Sequence, residues 1–219
     1  MPETHGEIVK FLVKNCKGVG KVMAEAVATS FGENTLDICA HKPRRLLGIP
    51  KMTETLLGNI NYACVSALVR SDVQTLLKNA DVGVEAINKL VEAYGDEATN
   101  ILKSEPYKPV DLLGFLTTDK IAVSLGEAPE RRLRAAAKEA QKRACSKTGN
   151  MCAELNTMLT QMRELTPDVD ETKLTEAVDK ASAAFNVVKQ GQYYYSKSDF
   201  ITERDMASKI AEFANEKPT

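Results

Sequence analysis

The sequence predicts a mainly α-helical fold, in which tandem helical repeats are followed by a smaller helical module with one β-hairpin. Only 5% of the 219 residues are aromatic, and apolar side chains recur at helical spacing. Residues 18–43 recur as residues 81–106, offset by 63 positions without a gap. Residues 186–195 place Gln190-Gly191 between two β-prone runs, a pattern typical of a β-hairpin.

Glycine, proline and apolar positions carry the repeat. In each copy a helix ends at a glycine C-cap, and a short second helix ends at a proline. We therefore predict two copies, 11–70 and 74–126, within a domain spanning residues 1–126. The predicted helices include 51–70 in the first copy and 84–94, 96–104 and 117–125 in the second. The matched residues are Val19, Gly20, Gly32, Ile38 and Pro43 in the first copy, with Val82, Gly83, Gly95, Ile101 and Pro106 in the second.

The pattern changes after Gly126. Pro129 begins a helix predicted over about 130–147, because proline is favoured in the first turn of a helix. Three helices and a β-hairpin predict a winged-helix-like module over residues 127–197, followed by a linker helix within 198–219. The other helices of this half are predicted at 151–164, 171–184 and 199–214.

Composition excludes several classes of protein. The five cysteines form no CxxC pair, which indicates reduced thiols and a cytoplasmic protein. No apolar run is long enough to cross a bilayer, so we predict no membrane partner. The two histidines have no second ligand at metal spacing, and no Ser-His-Asp or Cys-His arrangement is present. We therefore expect no metal, no cofactor and no catalytic residues in this chain.

The charge of the chain is unevenly distributed, although its net value is only −1. Residues 1–70 hold 9 basic and 6 acidic groups, whereas residues 71–126 hold 5 and 9. Duplex binding depends largely on neutralising phosphates, so the first repeat is the better candidate for contact with DNA.

The segment Lys17-Gly18-Val19-Gly20-Lys21, termed hairpin one, has the helix-hairpin-helix pattern. Both glycines are expected to adopt φ values that side chains forbid and to let a phosphate approach the backbone. A helix follows at once, so its free N–H groups and positive dipole end face that phosphate. The two lysines add charge, and Ala24 lets the helices pack closely.

Three further turns follow the same plan with departures from it. Hairpin two is Gly48-Ile49-Pro50, with Lys51 and Thr53 as additional candidates for phosphate contact. Its Pro50 removes one N–H donor. Hairpin three (81–83) has an aspartate at its first glycine position, and hairpin four (112–114) has lost that glycine. These two turns are better interpreted as interhelical corners, an interpretation also open for hairpins one and two.

Two other features of the sequence are each open to two interpretations. The basic residues of the helix at 130–147 form either a phosphate-facing stripe or a solvated helix face. Tyr193-Tyr194-Tyr195 offers rings on which bases stack, but alternation along a strand places at least one of them in the core.

The four turns in this order, together with three short segments, resemble the N-terminal region of RecD-like ATP-dependent DNA helicases, similar to the exodeoxyribonuclease V α-subunit and belonging to superfamily 1. The segments are Phe31 to Leu36, Lys103 to Tyr107 and Asp119 to Ala122. The resemblance implies motor domains in the same polypeptide that unwind DNA 5′ to 3′ in repair and recombination. ATP and Mg²⁺ are expected only at that motor, because this sequence contains no G-x-x-x-x-G-K-[ST].

These observations favour a non-enzymatic accessory region that binds DNA without sequence specificity, through its phosphate backbone. The expected partners are DNA and the motor domains. The alternative is a scaffold that packs against the motor or a partner protein without contacting DNA.

Overall fold

The computed structural model describes residues 2–184 and 187–215. Its chain divides into two compact units, Met1–Leu113 and Gly114–Thr219. The described residues are mainly helical and include one small sheet, so the predicted fold class is confirmed. The domain bounds 1–126, 127–197 and 198–219 stay a prediction.

The first unit consists of helices joined by tight turns. Thr4 and Glu7 form a capping box at the start of the first helix, which satisfies two otherwise free backbone N–H groups. Short 3₁₀ helices follow the second helix (Gly32–Asn34), the third (Pro43–Gly48) and the fifth (Gly95–Glu97). The helices are α1 His5–Asn15, α2 Lys21–Phe31, α3 Thr35–His41, α4 Glu54–Leu76, α5 Val84–Tyr94, α6 Ala98–Ser104 and α7 Val110–Leu113.

The core of the first repeat lies between α1, α2, α3 and α4. Leu12, Val27 and Ile60 are fully buried there. Ala24 is also fully buried, as expected for a small residue where two helices approach closely. This core holds the turn between α1 and α2 in place.

The backbone repeats at the offset seen in the sequence. Helices α2 and α5 each have 11 residues, and α3 and α6 each have 7. Gly32 has φ 57° and ψ −137°, and Gly95 has φ 52° and ψ −134°. Lys42 and Glu105, which precede the matched prolines, have φ −133° and −135°. The local structure of 18–43 therefore recurs in 81–106, while the wider bounds 11–70 and 74–126 stay a prediction.

Helix α4 differs most from its predicted bounds of 51–70. It begins at Glu54 because the Thr53 hydroxyl caps it, accepting the Leu56 N–H at 3.2 Å. It continues to Leu76 because Val73 and Leu77 keep its buried face apolar.

The second unit contains a winged-helix arrangement. Helix, strand, two helices and two strands follow one another from α9 to β3, and the antiparallel strand order is β1-β3-β2. Strand β1 was predicted as part of a helix over 151–164, and the helix begins only after the strand. Asn186, the first residue of the predicted β-hairpin, lies outside the described residues. The elements are α8 Phe115–Ser124, α9 Pro129–Thr148, β1 Cys152–Glu154, α10 Leu155–Leu165, α11 Glu171–Ala183, β2 Val188–Gln190, β3 Tyr193–Tyr195 and α12 Lys197–Asn215.

One arginine ties three parts of the second unit together. Arg132 of α9 donates from Nε and Nη2 to the carboxylate of Asp119 in α8, at 2.9–3.1 Å. Its Nη1 and Nη2 donate to Asp168, between α10 and α11, at 2.6 and 3.0 Å. Asp119 is only 8% exposed, so the guanidinium neutralises a buried charge.

Candidate nucleic-acid interface

Hairpin one is a tight turn that leads directly from α1 into α2. The Val19 N–H donates to the Cys16 carbonyl at 3.1 Å, and both side chains are buried. Gly20 is the N-cap of α2 and has no side chain to cap the helix. The first-turn N–H groups of α2 are therefore free to meet an anion, because the first four amides of a helix lack intrahelical partners.

The two glycines of hairpin one have different roles. Gly18 has φ +82°, which disfavours any side chain, and a Cβ there would lie 3.2 Å from Leu56 Cδ2. Gly20 has φ −84° and ψ 170°, which any residue adopts, and nothing lies within 4 Å of its Cβ position. The expectation that both glycines adopt forbidden φ values was wrong for Gly20. The backbone does not require a glycine at position 20, so the missing side chain only leaves room for a ligand such as a phosphate to approach.

The charges around hairpin one favour an anion. Lys17 and Lys21 are exposed on either side of the turn. The first turn of α2 carries no acidic residue, and the nearby Glu25 is paired with His5 at 2.7 Å. The dipole of α2 and both lysines therefore act in the same direction.

Helix α4 packs against hairpin one. The Asn59 side-chain amide donates to the Lys17 carbonyl at 2.8 Å, and Leu56 lies against Gly18. The N-terminal end of α4, which begins after Lys51 and Thr53, thus lies beside the turn. The structure brings the residues predicted at hairpins one and two into one region of the first unit.

Hairpin two does not lead directly into a helix, in contrast to hairpin one. Gly48 ends a 3₁₀ helix, Ile49 is buried, and α4 begins only at Glu54. Its positive φ falls on Lys51, at +65°, and not on Gly48. The Thr53 hydroxyl accepts the capping bond and keeps its own hydrogen to donate. Lys51 and Thr53 remain candidates for phosphate contact, but no helix N-terminus follows directly after Pro50.

The conformation of Lys51 gives a test of hairpin two. Replacing Lys51 with glycine should raise the free energy of unfolding by about 0.5 kcal/mol, since the left-handed penalty of 1–2 kcal/mol exceeds the extra entropy of an unfolded glycine. Urea unfolding measures it. Lys42→Gly is the control, because Lys42 has φ −133° and glycine there should destabilise. A Lys51→Gly variant less stable than the parent would contradict this backbone.

Hairpin three has the shape of hairpin one without its charge. Gly83 is the N-cap of α5, and its φ of −72° and ψ of 160° are similar to those of Gly20. Asp81, which corresponds to Gly18 in the repeat, has φ +46°. Ala80 and Val84 stand where hairpin one has its two lysines. Hairpin three therefore offers the turn but no cation to a phosphate.

Hairpin four keeps one feature of the pattern. Gly114 has φ +78° and is the N-cap of α8, which begins at Phe115. Leu112 replaces the first glycine, so only the second position of the pattern has the conformation that glycine favours.

The basic residues of α9 are largely engaged by carboxylates. Arg132 holds Asp119 and Asp168, as described above. The helix is thus better explained as a paired, solvated face than as a phosphate stripe. Further ion pairs join Arg131 to Glu127, Arg143 to Glu139 and Lys147 to Glu164.

Helix α11 occupies the position of a recognition helix, but its charge does not favour phosphates. It carries Glu171, Glu176 and Asp179 against two lysines. Lys173 pairs with Asp170, and Lys180 pairs with Glu176. The winged-helix module therefore lacks the excess of positive charge that duplex binding needs on this helix.

The thiols of the first unit are buried, unreactive groups. Burial raises the pKa of Cys16 to about 12, and a hydrogen bond with Cys39 raises the pKa of Cys64. A nucleophilic thiol needs the opposite shift. In residues 2–184 and 187–215, no three His, Cys, Asp or Glu side chains are grouped to hold a metal ion. Within the same ranges, no helix is both long and apolar enough to cross a membrane.

Comparison with known proteins agrees with the hairpin geometry. Residues 69–152 match the family model of the ATP-dependent RecD2 DNA helicase HHH domain. This part of the chain is similar to that helix-hairpin-helix domain. It is also 28% identical over 137 residues to an ATP-dependent RecD2 DNA helicase of Deinococcus radiodurans. That alignment covers 61% of this chain and 19% of the relative, so the aligned region is about a fifth of the relative's length.

The RecD2 comparisons confirm the resemblance to RecD-like helicases seen in the sequence. The matched range contains hairpins three and four and α9, and it begins within α4. Hairpin one lies outside that range. The matched range is thus similar to a helix-hairpin-helix part of a helicase, and the repeat that precedes it in this chain contains the more basic turn.

Proposed function

We propose that this chain is the DNA-binding accessory region of a RecD-like 5′ to 3′ DNA helicase that acts in DNA repair and recombination. It holds DNA through phosphates and without sequence specificity. Hairpin one makes the main contact, and Lys51 and Thr53 add weaker ones. The ATP-dependent motor domains of the same polypeptide are its other partner, and ATP and Mg²⁺ act there. The five free cysteines suit the reducing cytoplasm.

One observation carries the proposal. The uncapped N-terminus of α2 begins at Gly20, whose open face is bordered by exposed Lys17 and Lys21. Backbone N–H groups, the positive end of a helix dipole and two cations then lie together at the N-terminus of α2, as in other anion sites at helix N-termini. Contacts of this kind read phosphates and carry no base information, so binding is independent of sequence.

A scaffold without DNA contact is the second candidate. Val22, in the first turn of α2, is 86% exposed, and Tyr62 of α4 is 76% exposed. Large apolar side chains of this exposure mark a packing surface where they form a contiguous patch, whereas single ones are ordinary on a protein surface. The motor domains are the partner that this candidate requires.

Replacing Lys21 with alanine separates the two candidates. The variant should bind random-sequence duplexes more weakly and reduce the slope of log K against log salt by roughly one unit, because one phosphate contact is lost. Fluorescence anisotropy over a range of salt concentrations measures both quantities. Lys103→Ala is the matched control, since Lys103 is an exposed helical lysine far along the chain in the acidic repeat.

The proposal predicts that Lys103→Ala binds like the parent and keeps its slope. Equal slopes for the parent and the Lys21→Ala variant would contradict the assignment of hairpin one. A parent without salt-dependent binding would favour the scaffold.

A further inference from the structure

Strand β3 divides its three tyrosines between the two faces of the small sheet. Tyr194 is 2% exposed, and the Lys189 ammonium lies 5.4 Å from the centre of its ring. Tyr193 and Tyr195 point to the opposite face, because side chains alternate along a strand. Tyr194 and Tyr195, at 2% and 7% exposed, are therefore both buried, on opposite faces of the sheet, and Tyr193 is the exposed tyrosine.

A cavity of about 390 Å³ lies on that second face, between the sheet and α12. We call it the aromatic cavity. Gln190, Tyr193 and Tyr195 line it from the sheet. Helix α12 contributes Phe200, Glu203, Arg204 and Ala207, whose spacing of three, four and seven places them on one helix face.

The rings of the aromatic cavity form a floor and a rim. Tyr195 and Phe200 meet edge to face, with centroids 5.7 Å apart and planes at 69°. Such pairs are stable arrangements of two aromatic rings, so this floor is fixed. Tyr193 also lines the cavity and is 38% exposed, so part of its side chain is open to solvent. A flat ligand ring can stack on it.

The polar groups of the aromatic cavity suit the edge of such a ring. The Gln190 amide both donates and accepts hydrogen bonds, Arg204 donates, and Glu203 accepts. These are the side-chain types that read base edges. Glu203 and Arg204 have opposite charges, and Arg204 also pairs with Asp205 at 3.1 Å. The cavity is therefore not an anion site, and it favours an uncharged ring over a phosphate.

We infer that the aromatic cavity binds an unpaired base of a single-stranded nucleic acid. A base within a duplex is stacked on its neighbours and has no free face for Tyr193, whereas a base in a single strand can be splayed into a cavity. This site is separate from hairpin one, to which the proposed function assigns only backbone phosphates. It adds a contact to the strand that unwinding would release.

The test compares two single-stranded probes on the full 219-residue chain. One probe is a fluorescent oligothymidylate of about 15 nucleotides, and the other is an abasic chain of equal length. Tyr193→Val removes the ring and keeps a residue that favours strands. Ala207→Leu adds a larger side chain that fills the cavity from α12, and it removes none of the aromatic or polar side chains. Tyr193→Phe retains stacking, and Tyr62→Val is the control for loss of an exposed tyrosine elsewhere.

The parent should bind oligothymidylate at least about fivefold more tightly than the abasic chain, as expected for one stacked base. Tyr193→Val and Ala207→Leu should each abolish that preference, with the salt slope unchanged. Tyr193→Phe and Tyr62→Val should keep it.

A parent that binds both probes equally, or an Ala207→Leu variant that keeps the preference, would overturn the inference. A protein side chain would then be the better candidate for the cavity. Failure of the proposed function is distinguishable, because that result is a lost salt slope on duplex DNA with the base preference intact.

Discussion

Replacing Gly20 with aspartate should raise stability slightly and lower DNA affinity by about tenfold or more, since charge-assisted hydrogen bonds contribute about 1.5–3 kcal/mol. Gly20 has φ −84° and open space at its Cβ position, so the backbone accepts the change. Aspartate is a preferred N-cap, and its carboxylate accepts the same N–H groups that hairpin one offers to a phosphate. The free energy of unfolding measured in urea should therefore rise, while the duplex affinity measured by fluorescence anisotropy falls.

The chain supplies a matched control for this substitution in its second repeat. Gly83 has φ −72° and ψ 160°, and its Cβ position is equally open. Gly83→Asp should leave affinity within about twofold of the parent, because no phosphate contact is removed there. Its gain in stability should be smaller, since Asp81 and Glu85 are already negative nearby. Equal losses of affinity in both variants, or none in Gly20→Asp, would show that hairpin one is not the phosphate site.

Replacing Arg132 with methionine should lower the free energy of unfolding by about 2–3 kcal/mol at pH 7, because it removes the guanidinium that neutralises the buried Asp119 carboxylate. Methionine keeps the length of the aliphatic stem, so the loss reports the charge and its hydrogen bonds. Chemical unfolding followed by circular dichroism measures it. Lys180→Met is the control, since Lys180 and Glu176 form a pair in which both side chains are exposed, and its loss should cost less than about 0.5 kcal/mol.

The contribution of Arg132 should depend on pH with a definite sign. Its hydrogen bonds lower the pKa of Asp168 in the folded protein. Stability from this contact is therefore present above the unfolded pKa of about 3.9 and is lost as pH falls through the folded value. The difference between the parent and Arg132→Met should therefore shrink as the pH falls from about 4 towards the lowered pKa of Asp168. A variant as stable as the parent at pH 7 would contradict the role of this contact.

Much of the first unit could be predicted from the sequence, because local chemistry determines it. Gly32 and Gly95 recur at the same offset and adopt the same left-handed φ, so the pattern of glycines identified real corners. The start of α4 was missed although Thr53 is a residue that favours N-caps. The continued apolar spacing to Val73 and Leu77 was a further signal for its length.

Other features depend on contacts between distant residues, which no local pattern contains. Strand β1 has only three residues and exists through its pairing with Tyr193–Tyr195. Arg132 looked like one cation of a basic stripe, and its partners lie 13 and 36 positions away. The glycine pattern also could not distinguish Gly18, which needs its positive φ, from Gly20, which does not.

Binding of the parent chain to random-sequence duplex DNA across a range of salt concentrations is the most direct test of the account. With Lys17, Lys21 and Lys51 as the phosphate contacts, the slope of log K against log salt should be about −2 to −3, at 0.9 for each neutralised phosphate. Duplexes of unrelated sequence should give the same slope and affinity. A slope near zero, or a strong preference for one sequence, would contradict the account.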